Sequence, residues 1–163
     1  MRSRSVLLAS LAVAGVAISC SGSKDPTAPV SLETYMANLT GAKERPTPNA
    51  STATGTGSFV FESSGEISYL VTVPSSTPLS ALPSGLHIHA PADTGQSAGV
   101  IVGFNGFAQA TSGVIAQGTI RGVSATVSLD SLKALVRSGR VYLNLHSTAF
   151  AGGEIRGQLT RVP

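Results

Sequence analysis

The chain has 163 residues, 42% of them apolar and 12% charged, with a formal net charge of +3. That length suits one domain with a core of its own. A single Cys excludes a disulfide scaffold, and the lack of any basic stripe interleaved with aromatics excludes a nucleic-acid surface.

The chain opens MRSRSVLLASLAVAGVAISC, with Arg2 and Arg4 ahead of an apolar run from Val6 to Ile18. This is the pattern of a signal peptide over residues 1–19, and its run of about 13 residues falls short of the roughly 20 that a permanent membrane helix needs. The run ends Ala17-Ile18-Ser19-Cys20. Small residues before a Cys resemble the bacterial lipobox, whose Cys becomes the lipidated first residue of the mature chain, although Ala17 stands where Leu is usual. The alternative is an ordinary cleaved signal and a secreted chain. The expectation is therefore export and a lipid anchor at Cys20 in the cell envelope. Ser21 rather than Asp after the Cys points to the outer membrane if the host has two membranes. Losing Arg2 and Arg4 leaves nine basic and eight acidic side chains, so the high pI belongs partly to the leader.

Residues 20–31 read as the lipidated Cys and a flexible tether, since SGSKDPTAPVS is polar and carries Pro26 and Pro29. A single domain is expected over 32–163. It consists of short β-like runs between turn signals: LETYMANLTG, TGTGSFVFES, GEISYLVTV, LHIHA, AGVIVGF, GVIAQGTIRG, VSATVSL, GRVYLNLHS and GEIRGQLTRV. Ser63-Ser64-Gly65 marks a hairpin turn between the second and third. In the third, Ile67, Tyr69, Val71 and Val73 alternate with polar residues, the period of a half-buried strand. Nine such runs predict an all-β fold, a Greek-key sandwich or barrel of superoxide dismutase-like or immunoglobulin-like form. One short helix is predicted near 129–138, with Leu129, Leu132, Leu135 and Val136 at helical spacing, Ser128 as N-cap and Gly139 after the end.

Only three histidines occur, and two of them, His87 and His89, form a His-x-His pair on one predicted strand. Residues i and i+2 share a face, so both imidazoles point one way while Ile88 turns to the core. In VYLNLH, Tyr142, Asn144 and His146 share one face and Val141, Leu143 and Leu145 the other. If the two strands are neighbours, the three histidines converge as the three ligands of a copper or zinc site with an open position. Hydrogen-bonding histidines that order a loop, with no cofactor, are the alternative.

NLTGAKERPTPNASTATGTGSFVF, LHIHAPADTGQSAGVIVGF and GRVYLNLHSTAFAGGEIRGQL together resemble the CHRD domain, a module named from chordin and found in many bacterial secreted proteins and lipoproteins. The likeness runs from about Tyr35 to Leu159. It rests on Leu39, Gly41, Glu44 and Pro46, the His-x-His strand, Tyr142, Asn144 and His146, and the closing Gly153-Glu154-Ile155-Arg156-Gly157-Gln158. The resemblance implies a β fold and transfers no enzymatic activity. GLHIHAPADTG is also similar to the copper strand of Cu/Zn superoxide dismutase. That likeness implies copper ligation by His87 and His89, with His146 in place of a late ligand. The bridging and zinc-site histidines and the disulfide cysteines of that enzyme have no counterparts.

Glu154 and Arg156 alternate on the last run and are expected to share a face beside the imidazoles, with Glu44 in a Pro-flanked loop as a further supporting group. No Gly-x-Ser-x-Gly elbow and no Gly-rich strand-to-helix loop appears, and no catalytic residue is assigned. The expected function is a non-enzymatic binding or structural module with a protein or glycan partner. The alternative is a mononuclear copper or zinc protein, possibly redox-active, using the three histidines.

Overall fold

A computed structural model describes residues 32–123 and 127–163. The expected leader, lipidated Cys20 and tether, residues 1–31, lie outside the described residues. So does the middle of VSATVSL, whose described flanks Val123, Val127 and Ser128 are not strand.

Nine strands form one antiparallel sheet: β1 (Glu33–Thr40), β2 (Thr54–Phe61), β3 (Ile67–Val73), β4 (Pro83–His89), β5 (Val100–Gly103), β6 (Gly113–Ile120), β7 (Tyr142–Ser147), β8 (Phe150–Gln158) and β9 (Thr160–Arg161). The order across the sheet is β5-β4-β7-β8-β1-β2-β3-β6, with β9 also on β1. The β1–β2–β3 meander with β8 returning beside β1 is a Greek-key arrangement. The sheet curls on itself, and Tyr69 of β3 meets Phe104, just beyond β5, with ring centroids 4.6 Å apart. The sequence expectation of an all-β fold with one helix is met, in a curled single-sheet form. The last predicted run divides into β8 and β9, and AGVIVGF contributes only the four residues of β5.

Period-two alternation builds the core. Ile67, Val71 and Val73 of β3 are buried, as are Leu86 and Ile88 of β4 and Leu143 and Leu145 of β7. The β2–β3 turn closes through the Glu62 and Glu66 backbones, with Gly65 at φ +91°. The helix α1 (Leu129–Arg137) covers one end with Leu132 and Val136 buried. Ser128 caps it, its side chain accepting the Ser131 N–H. Arg137 pairs with Glu33 at 2.6 Å, and Lys133 donates to the Gly65 carbonyl, so the helix is tied to β1 and to the hairpin turn. Among the described residues no helix is long and apolar enough to cross a membrane.

Candidate metal centre

Strands β4 and β7 are direct neighbours, with His87 opposite Asn144, His89 opposite Tyr142 and Gly85 opposite His146. This register was the condition for convergence, and it brings the three histidines together on the outer face. One ring nitrogen from each lies within 4.8 Å of the others. Nitrogens bound to one zinc or copper ion at about 2.0–2.1 Å stand roughly 3.4 Å apart, so modest ring rotations close the set. Gly85 leaves room for this. A Cβ there would meet His87 Cε1 at 2.8 Å.

The hydrogen bonds fix two of the tautomers. His89 Nδ1 lies 2.9 Å from the Ala98 carbonyl, and His146 Nδ1 lies 2.9 Å from the Ala151 carbonyl. A carbonyl only accepts, so each Nδ1 carries a proton and each Nε2 is the nitrogen left to face a ligand. Those Nε2 atoms are buried and unpartnered, as is His87 Nδ1. Burial, with some repulsion from His146, holds the His87 pKa below the usual imidazole value. Burial does the same at His89, with the Ala98 bond opposing it and His87, His146 and Arg156 adding to it. Three buried ring nitrogens without a partner suit an electrophile, because an orphaned buried polar atom costs free energy until it is satisfied.

The supporting groups form two layers around the histidines. The Tyr142 ring lies flat against His89, centroids 4.7 Å apart and planes 2° from parallel. The Arg156 guanidinium covers the other side of that ring, 3.5 Å from its centroid. Arg156 also donates to the Gln96 carbonyl at 2.6 Å, and the Tyr142 hydroxyl meets both the N–H and the carbonyl of Ala98. The loop between β4 and β5 is thereby strapped over the outer face, which is why Tyr142 is buried although it points away from the core; Asn144 is buried beside Glu44. Sequence reasoning placed Tyr142 and Asn144 on the histidine face without giving them a role. The Tyr-x-Asn-x-His alternation was the available signal.

Glu44 follows the 3-10 turn Gly41–Lys43 and is 4% exposed. Its Oε2 accepts from Asn144 Nδ2 at 3.3 Å, and Asn144 is the cross-strand neighbour of His87. Burial raises the Glu44 carboxyl to about 7, against the pull of Arg156, the Asn144 bond and Arg45. The carboxyl thus stands one residue removed from the imidazoles.

Glu154 is placed elsewhere. Its Oε1 accepts from the Ser80 N–H at 2.7 Å and from Ser51 Oγ at 2.8 Å. Burial works against its ionised form, but Ser147, Ser80 and Ser51 outweigh burial and lower its pKa. The expectation that Glu154 shares the Arg156 face fails because the β7–β8 register shifts between Leu145 and Ser147, with Gly153 at φ +126°. A bulge of this kind breaks the alternation on which the expectation rested.

The family model for the CHRD domain matches residues 35–159. No curated protein and no solved structure matches the chain.

Proposed function

From the premise that this chain belongs to the CHRD-domain family, we propose that it is a non-enzymatic binding module of the cell envelope that holds one copper ion through His87, His89 and His146. The observation that carries the metal reading is the convergence of three buried, unpartnered ring nitrogens, two of them aimed by Nδ1–H bonds to backbone carbonyls. Ligand histidines are oriented by such bonds as a rule. An all-imidazole set accepts copper or zinc, and the general affinity order places copper above zinc. When bound, copper would supply an electron-accepting centre with at least one position left for a further ligand. The chain's own residues fix the imidazoles, disfavour the protonated forms of His87 and His89, and wall the site with Tyr142 and the β4–β5 loop. The apolar leader and Cys20 support export and lipid anchoring of this module.

The test uses the full chain, expressed with its own leader, processed by the host and purified without a histidine tag. It is loaded with copper or zinc, desalted and assayed for metal by elemental analysis, and mass spectrometry of the same preparation reads the state of Cys20. About one copper per chain is expected. His146→Ala and the triple alanine variant should lose it, while the circular dichroism of His146→Ala stays that of wild type. Unchanged uptake in the triple variant would sink the metal reading.

A further inference from the structure

A second cleft lies on the far side of Arg156 from the Tyr142 ring. It encloses about 320 Å³ and is lined by Asn38, Lys43, Arg45, Thr94, Arg156, Gln158 and Thr160. That volume is at the small end of ligand pockets, which run from about 300 to 1,000 Å³. Three of the seven lining residues are cations and none is an acid. The chain carries only eight acidic residues, yet a cleft of this charge is not explained by their scarcity alone. The ion pairs among the described residues are Arg121–Glu66, Arg137–Glu33 and Arg140–Asp93. None of them involves Lys43, Arg45 or Arg156.

Backbone carbonyls hold the three cations in place without neutralising them. Lys43 Nζ donates to the Asn38 carbonyl at 2.6 Å, Arg45 to the Ala42 and Glu44 carbonyls, and Arg156 to that of Gln96. Arg156 is 2% exposed, a buried guanidinium with no carboxylate within ion-pairing distance. The nearby Glu44 attracts Arg156 but makes no ion pair with it, its Oε2 accepting from Asn144 and its carboxyl pKa raised by burial. A buried cation is costly unless something pairs with it. Like charges gathered in one low-dielectric cleft repel each other and concentrate counter-ions there.

We propose that this cleft is a binding site for an oxyanion, carried by a free small anion or by the acidic end group of a glycan, with Lys43 and Arg45 at its rim and Arg156 at its floor. The guanidinium fork suits carboxylate, phosphate or sulfate oxygens, while Lys43 contributes a point charge. Asn38, Thr94 and Thr160 are exposed polar groups that can reach the remaining oxygens of a sugar-sized ligand. The site touches the histidine centre through Arg156, which stacks on Tyr142, and is tested without metal.

The test is isothermal titration of the full chain, expressed with its own leader and processed by the host, in chelator at low salt. The probes are galacturonate, galactose and inorganic phosphate. Saturable binding of galacturonate or phosphate, and none of galactose, is expected. The double variant Lys43→Ala/Arg45→Ala should weaken it about tenfold or more, since two charge-assisted contacts are removed. Both side chains are outside the core, so circular dichroism should show the variant folded. Tighter binding of galacturonate assigns the cleft to a glycan end group, and tighter binding of phosphate assigns it to a free anion. No saturable binding of either probe, or binding that the double variant retains in full, overturns the proposal.

Discussion

Replacing Glu44 by Gln isolates one buried carboxyl and makes the pH dependence of stability its signature. Glu44 is 4% exposed, and burial raises its pKa from 4.5 to about 7 although Arg156, Asn144 and Arg45 all favour the ionised form. A group whose folded pKa is raised binds its proton more tightly in the folded state. Its stabilising contribution is complete below the unfolded value of 4.5 and is lost as pH climbs through 7. Moving the midpoint that far corresponds to about 3 kcal/mol, of which about 2.5 kcal/mol is lost between pH 5 and pH 8. Gln keeps the shape and an acceptor oxygen for Asn144 Nδ2 but cannot ionise. The assay is urea unfolding of wild type and Glu44→Gln at pH 5, 6, 7 and 8, in chelator. The unfolding free energy of the variant minus that of wild type should grow by about 2.5 kcal/mol across this range. His87 and His89 act in the opposite sense. Their lowered pKa values add stability as pH rises through the ordinary imidazole value. They do so in both proteins and cancel in the difference. A difference that does not change with pH would refute the reasoning, because the carboxyl would then be either hydrated or fully paired.

Two substitutions probe the setting of the imidazoles. Tyr142→Leu removes the ring between His89 and Arg156 and should weaken copper binding by about tenfold or more, as loss of support behind a ligand does. Tyr142→Phe keeps the stack and should stay close to wild type in competition with a chromophoric chelator; equal losses in the two variants would assign the effect to the hydroxyl instead. Gly85→Ala puts a methyl 2.8 Å from His87 Cε1 and must turn that ring, so copper affinity should fall while the urea midpoint hardly moves. Wild-type affinity in this variant would remove His87 from the ligand set.

Much of the fold was legible because the alternation is clean where strands have one face in the core. Ile67, Val71 and Val73, or Leu143 and Leu145, declare their face by pattern alone. The helix was legible from its cap and spacing, and Ser128 caps it as expected. The histidine site was half legible. The sequence put His87 and His89 on one face, but pairing of β4 with β7 is a contact across more than fifty residues, and no local pattern encodes it. Burial on both faces of β7 was also hidden, since it depends on the β4–β5 loop folding over Tyr142 and on Glu44, from the β1–β2 connection, meeting Asn144. Glu154 was misplaced for a different reason. A bulge leaves no more trace in the sequence than a Gly-Gly pair, and this chain has many glycines. The cationic cleft escaped because Lys43 and Arg45 are over a hundred residues from Arg156 and meet it only through the pairing of Thr40 with Arg156.

That same pairing has a consequence for the order in which the protein comes into being. β8 follows β1 to β7 in the chain, yet is fourth in the strand order, between β7 and β1. While synthesis proceeds from the N-terminus, the β1–β2–β3 meander must wait with one side of β1 unpartnered, and the β4–β5 hairpin has no seam to join until β7 arrives. The non-local closure belongs to the slower class of folding reactions. The interval leaves an unpaired strand edge open to other chains, so the nascent protein is at its most vulnerable just before residues 150–158 emerge. By the same logic, trimming those residues would extract a central stave of the curled sheet, together with Arg156, rather than shorten a tail.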